Sequence, residues 1–258
     1  MNNPYGHRPA PYDQSSYPQH APARYGQAPA YAGGPRVPVE PPDPDKRLRR
    51  VGFGIWGAGI LVGIVLNIVF TLAEIAFSKA PGRMLSAVVT GAVFAFLPLV
   101  FYLFIPMVLD RYDPEPWWTL AMAFLWGAIV ATGFAGMINT GVHIVSAGLF
   151  GPKVGNFMTS VVSAPFCEEF FKGLAILGMF YFLRREFDGV VDGIIYATFC
   201  ALGFAAVENV SYYARAEMAN QLAGTFFLRG ILAPWGHPLY TSMTGIGFGI
   251  ARESSRGS

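Results

Sequence analysis

The sequence predicts an all-α, polytopic transmembrane helical bundle of about six or seven membrane segments, preceded by a disordered tail. Two observations carry that expectation. Of 258 residues, 53% are hydrophobic and only 13% are charged, with a mean hydropathy of +0.41, whereas soluble domains carry roughly 25% charged residues. Several apolar runs also reach the ~20 residues that a spanning helix needs. A net charge of +2 gives no basis for nucleic-acid binding. Cys167 and Cys200 both lie in apolar runs and predict no disulfide framework.

Residues 1–45 differ in kind, being rich in Pro, Tyr, Ala, Gly and Gln with no helical or strand period. Such a stretch buries too little apolar surface to offset its ordering entropy, so it is expected to be a solvated extension. Its repeated Tyr and Pro offer a surface to a docking partner of unknown identity. The membrane domain is expected over 46–258 and opens on the basic cluster Lys46-Arg47-Leu48-Arg49-Arg50. Its first apolar run starts near residue 51, too far in for a cleaved signal peptide. Spans are expected near 51–77, 85–109, 117–149, 155–183, 189–213 and 224–251, the third and sixth too irregular for single straight helices.

Basic residues prefer the cytoplasmic side of a membrane. Placing the 46–50 cluster, Arg111, Arg184, Arg185, Arg252 and Arg256 on that side predicts a multi-pass cell-membrane protein with a cytoplasmic N-terminus. In the acidic, Pro-rich loop from Asp110 to Trp118, Trp117 and Trp118 read as ordinary interfacial anchors.

Three segments carry polar residues that a bilayer should reject. Glu168 and Glu169 stand side by side in the fourth span, and a carboxylate at the bilayer centre costs at least ~2.5 kcal/mol. Lys172 lies at i+4 from Glu168 and i+3 from Glu169, and the first spacing is the favourable orientation for pairing. An ion pair holding the bundle together would account for one glutamate and leave the other over. Pro165, four residues before Glu169, removes a helical hydrogen bond and predicts a kink. The fifth span carries Glu208 and Asn209, with Gly203, Ala205 and Ala206 allowing another helix to approach closely.

In the sixth segment, Pro238 is expected to start a short helix capped by His237, with Arg229 before it and Thr241 one turn on. The run from Pro238 to Ala251 is only ~21 Å long, so its N-terminus should lie within the membrane. His143 reads as a packing residue. Cys167 is rejected as a nucleophile, because a thiol beside two carboxylates resists ionisation.

Glu168, Glu169, Glu208 and His237 thus form a carboxylate-rich set with one imidazole, suited to hydrolysis. A divalent metal, zinc by preference, would be held by Glu208 and His237 and would lower the pKa of a bound water. A remaining glutamate would serve as base. Without metal, a buried glutamate would activate water directly. Lys172, Asn209, Arg229 and Thr241 are the supporting residues. The positive N-terminus of the broken helix would stabilise an oxyanion.

Over roughly residues 50–250 the chain resembles the PrsW family of intramembrane metalloproteases, within a superfamily that includes the CAAX prenyl proteases. The resemblance rests on Glu168-Glu169-x-x-Lys172, on Phe204-x-x-x-Glu208-Asn209, and on Arg229 followed by His237. Asp192-Gly193 and the loop from Asp110 to Trp118 also fit. It implies cleavage of membrane-protein substrates, as in release of an anti-sigma factor, with Glu168 and Glu169 as the catalytic pair and Glu208 and His237 completing the centre. Glu208 stands where the prenyl-protease branch has a His, which points away from prenylated substrates. Family members usually continue into further spans, so a chain ending at Ser258 is expected to be truncated or short of a ligand. Two other classes remain open: a proton- or ion-coupled transporter, and a non-catalytic membrane scaffold.

Overall fold

The computed structural model describes residues 45–256. The expected tail over 1–45, apart from Asp45, and any partner of it lie outside the described residues. Among the described residues the chain is helical throughout, with no strand. Four runs are long and apolar enough to cross a membrane: Lys46–Ala76 (α1), Pro81–Leu109 (α2), Trp117–Phe150 and Val190–Met218 (α7). Two further helical stretches, 152–182 and 222–256, carry Glu168, Glu169, Lys172 and Arg229, and the second contains the helix break.

The third run is continuous, its irregularity being a widened turn. It consists of α3 (Trp117–Leu125), π1 (Trp126–Ala131) and α4 (Thr132–Phe150). The fourth has the same design, with α5 (Pro152–Phe157), π2 (Met158–Ser163) and α6 (Ala164–Phe182). Pro165 therefore sits in the first turn of α6, where its missing N–H costs little. The strain that its ring would place on an ordinary helix falls in the wider π turn.

The sixth run does break. It consists of α8 (Leu222–Phe226), π3 (Phe227–Leu232), an interruption over 233–235, and α9 (Gly236–Arg256). α9 begins one or two residues earlier than expected, so His237 and Pro238 occupy its first turn. The first three N–H groups of a helix have no intrahelical acceptor, so proline fits at any of them. π2 lines the cavity beside Glu168 and π3 carries Arg229, a placement common for π-bulges.

Although α1, α2 and α7 read alike as apolar spans, they differ in position. Within their most apolar windows 11%, 17% and 78% of residues are buried, respectively, which makes α7 the central helix. It packs against α2, α3, π1 and α9. Close approach depends on glycine at two places. A side chain at Gly203 would collide with the Phe124 carbonyl of α3, and one at Gly193 or Gly245 would collide with the backbone of the facing helix in the α7–α9 contact. α9 runs back along α7, from His237 beside Phe204 to Glu253, whose carboxylate accepts from the Val190 N–H at 3.0 Å. The main core gathers Trp56, Trp126, Ile176, Met179, Phe187, Tyr196 and Phe204 around that helix. Cys167 and Cys200 are both free thiols.

Candidate active site

Glu168, Glu169 and Lys172 project from α6, Glu208 and Asn209 from α7, Arg229 from π3, and His237 and Thr241 from α9. The fold brings all eight together. Lys172 is fully buried and its Nζ lies 2.5 Å from Glu169 Oε1, 3.1 Å from His237 Nδ1 and 4.4 Å from the centre of the Phe204 ring. Thr241 donates to Glu169 Oε2 at 2.9 Å. Both oxygens of Glu169 are therefore engaged.

The lysine thus pairs at i+3, and the favoured i+4 pairing with Glu168 does not form. The ring of Phe204 and the α9 side of the site draw the ammonium towards Glu169. Glu168 instead lines a cavity of about 750 Å³, with its Oε2 4.0 Å from His237 Nδ1. The two adjacent glutamates, equivalent in sequence, are thereby separated into a clamped carboxylate and one open to the cavity.

Glu208 Oε2 accepts from Arg229 Nη2 at 2.5 Å and lies 3.2 Å from His237 Nε2. Arg229 Nε donates to Asn209 Oδ1 at 2.6 Å, and its guanidinium covers the Tyr212 ring at 3.7 Å. One arginine thus fixes two neighbouring side chains of α7 and balances the charge of one. An ammonium at Nδ1 of His237 directs the ring proton to Nε2, facing Glu208.

Glu168, Glu208 and His237 each offer one ligand atom, and these atoms lie within 4.8 Å of one another. Two carboxylates and an imidazole suit a divalent cation. The 3.2 Å between His237 Nε2 and Glu208 Oε2 is close to the ~3.3 Å edge of a tetrahedron with ordinary metal–ligand bonds. His237 and Glu208 would hold such a cation, with Glu168 beside them.

Sequence reasoning missed several supporting residues. Tyr102 of α2 donates its hydroxyl to the Gly230 carbonyl in π3, anchoring the turn that carries Arg229. The loop read as an interfacial anchor also fastens α2 and α3 to α7. The Glu115 N–H donates to Asp110 Oδ2 at 2.9 Å, and the Glu115 carboxyl meets the Tyr196 hydroxyl. Asp192 accepts from the Asp188 and Gly189 N–H groups at 2.6 and 3.0 Å, capping α7. Asp192 and the loop from Asp110 to Trp118 had entered the sequence reading through the family resemblance, but without these roles. Glu74 pairs with Arg215 at 3.2 Å, and both line the cavity.

Residues 115–258 match the profile of the PrsW family of intramembrane metalloproteases. Protease PrsW of Geobacillus kaustophilus is 31% identical over 143 residues, which make up 55% of this chain and 58% of that protein. Protease PrsW of Oceanobacillus iheyensis is 28% identical over 138 residues, 54% and 59% of the two chains. Protease PrsW of Bacillus subtilis is 28% identical over 171 residues, 66% and 71%. The chain spans about three-fifths of the length of the first two relatives. No solved structure matches the chain. The matched region holds every residue of the site, and the apolar helices make this a membrane protein. The chain belongs to the PrsW family of intramembrane metalloproteases.

Proposed function

We propose that the protein is an intramembrane endopeptidase that hydrolyses peptide bonds of membrane-protein substrates, with anti-sigma-factor-like proteins as the regulated targets. The convergence of Glu168, Glu208 and His237 from three separate helices, within 4.8 Å of one another, carries this reading. Glu208 and His237 would hold the divalent metal, zinc by the character of the donors. When bound, such an ion brings the pKa of a water towards ~7 and so supplies hydroxide at neutral pH.

The chain's own residues divide the remaining work. Glu168 faces the cavity and takes the proton of the attacking water. It can then return that proton to the leaving amine. Glu169, held between Lys172 and Thr241, fixes Lys172 against His237 and so orients the imidazole. Arg229 compensates the charge on Glu208 and keeps its carboxylate aimed at His237. The N–H groups that open α9 place partial positive charge where an oxyanion would form. The basic cluster before α1 supports a cytoplasmic N-terminus, which puts the Glu74–Arg215 end of the cavity on the opposite side of the membrane.

The test is cleavage of a single-span membrane reporter by the purified full chain, with metal content measured by mass spectrometry. Wild type should cleave the reporter and hold about one metal ion per chain. Glu168→Gln should retain metal and lose cleavage, whereas His237→Ala should lose both. Undiminished cleavage by Glu168→Gln would overturn the assignment.

A further inference from the structure

The cavity beside Glu168 has features that hydrolysis alone does not demand. It runs along α7 from Glu208 to Arg215, seven positions or ~10 Å, between walls from α1, α4, π2 and α7. Its lining is unusually polar for membrane depth. Asn67, Thr132, Asn139, Thr159 and Ser160 line it from three separate helical runs.

The hydrogen bonds already made by these groups define what they have left to offer. Thr132 and Thr159 donate to carbonyls of their own helices at 2.6 and 2.9 Å, leaving hydroxyl oxygens as acceptors. Asn67 spends both amide hydrogens on the Gly63 and Ile129 carbonyls, at 2.8 and 2.9 Å, leaving its own carbonyl. Asn139 is the complement: its Oδ1 accepts from Ser163 at 2.6 Å, leaving its NH₂. The groove therefore presents several acceptors and one amide donor.

A helical substrate segment satisfies its own backbone and is 10–12 Å wide with side chains, so it has no use for such a wall. An extended segment carries free N–H and C=O groups, which within a membrane require partners. It also exposes the scissile carbonyl, which a helix keeps hydrogen-bonded. We propose that this groove binds the substrate as a locally unwound, extended segment entering from the Glu74–Arg215 end, with Asn139 as a positioning residue that donates to the substrate backbone. At 3.3 Å per residue, ~three extended residues bridge the mouth and Glu168. The inference rests on the peptidase reading, because it takes the occupant to be a polypeptide.

The test uses two synthetic transmembrane peptides of about 20 residues with Leu/Ala cores. One is uninterrupted and the other carries Gly-Ser-Pro-Gly in its outer third. The full chain with Thr140→p-benzoylphenylalanine, at the groove wall, is photocrosslinked to each in vesicles. Crosslinking is expected for the interrupted peptide and not for the uninterrupted one, and equal or reversed labelling overturns the proposal. Asn139→Leu should raise the half-saturating concentration of the interrupted peptide about five- to tenfold, the worth of one hydrogen bond. Ser163→Ala breaks the same internal bond without altering the lining, so it should leave that concentration within about twofold. Equal effects would mean that Asn139 acts only by bracing π2, and would overturn its positioning role. Cleavage is scored separately. Selective crosslinking without any cleavage sustains the groove and sinks the hydrolase, whereas cleavage without crosslinking does the reverse.

Discussion

Towards its C-terminal end, α7 presents Glu208 to Arg229 and His237, whereas at its N-terminal end Asp192 and Tyr196 meet Glu115 and, through it, Asp110. Both clusters bury carboxyl groups against the same helix, but they meet the cost of burial differently. The first is built with cations. Lys172 and Arg229 stand 2.5 Å from Glu169 and Glu208 and balance their charge at membrane depth. The second is built from hydroxyls and acids. There burial pushes the Glu115 carboxyl up to about 8, and the neighbouring Asp192 and Asp110 raise it further.

The hydrogen-bond inventory agrees with a proton on Glu115. The Tyr196 hydroxyl has one hydrogen, yet it lies beside the Glu115 carboxyl and 2.9 Å from the Glu186 carbonyl. Thr119, 3.2 Å away, already donates to the Pro116 carbonyl at 2.6 Å. A protonated Glu115 shares its proton with Asp192, while the Tyr196 hydroxyl donates to the Glu115 carboxyl. At one end of α7 buried carboxyl groups are thus balanced by cations, and at the other they are neutralised among hydroxyls and acids.

Four changes would sharpen or break that contrast. The largest effect is expected from Glu168→Gln, which should lower kcat for a cleaved membrane reporter by roughly 10³-fold, the range for a general base. Glu115→Gln, a neutral isostere at the other cluster, should leave kcat near wild type at pH 6. Next comes Lys172→Met, which leaves Glu169 without its buried counter-ion and should destabilise the fold by about 3 kcal/mol. Equilibrium unfolding in detergent measures that loss, and an unchanged midpoint would mean that the cations are dispensable.

The third is a pH effect. The folded state holds the Glu115 proton up to about 8, against an ordinary value of 4.5, whereas the unfolded chain releases it earlier. This contribution is fully present below pH 4.5 and is lost as pH rises through 8. Thermal midpoints followed by tryptophan fluorescence should fall across that window, and Glu115→Gln should flatten the decline. The smallest effect is expected from Arg215→Gln. The Arg215 side chain is 56% exposed, so its pair with Glu74 should contribute less than ~1 kcal/mol, and the unfolding midpoint should barely move.

Much of the site was legible from residues that hydrocarbon should exclude. Glu168, Glu169, Glu208 and His237 stood out because each occupies an apolar run, and the supporting Lys172, Asn209, Arg229 and Thr241 lay at helical spacings from them or on the same broken segment. Tyr102, Tyr196 and Asn139 did not stand out. None of the three carries a charge, and only their long-range partners, at Gly230, Glu115 and Ser163, give them roles. The burial contrast between α2 and α7 was equally hidden, since both runs satisfy the same test of length and apolarity.

Composition and residue order alone were enough to indicate an all-helical membrane protein, to locate its long apolar helices, and to mark its acids and histidine as an anomaly needing explanation. Those properties follow from the free energy of transferring each residue into hydrocarbon, which is local and additive. Only the tertiary structure decided that Lys172 pairs with Glu169 and not Glu168, that Arg229 compensates Glu208, and that Glu168 alone of the adjacent pair opens to the groove. Those outcomes depend on how α6, π3 and α9 are turned around α7. Packing sets that rotation, and no spacing along the chain records it.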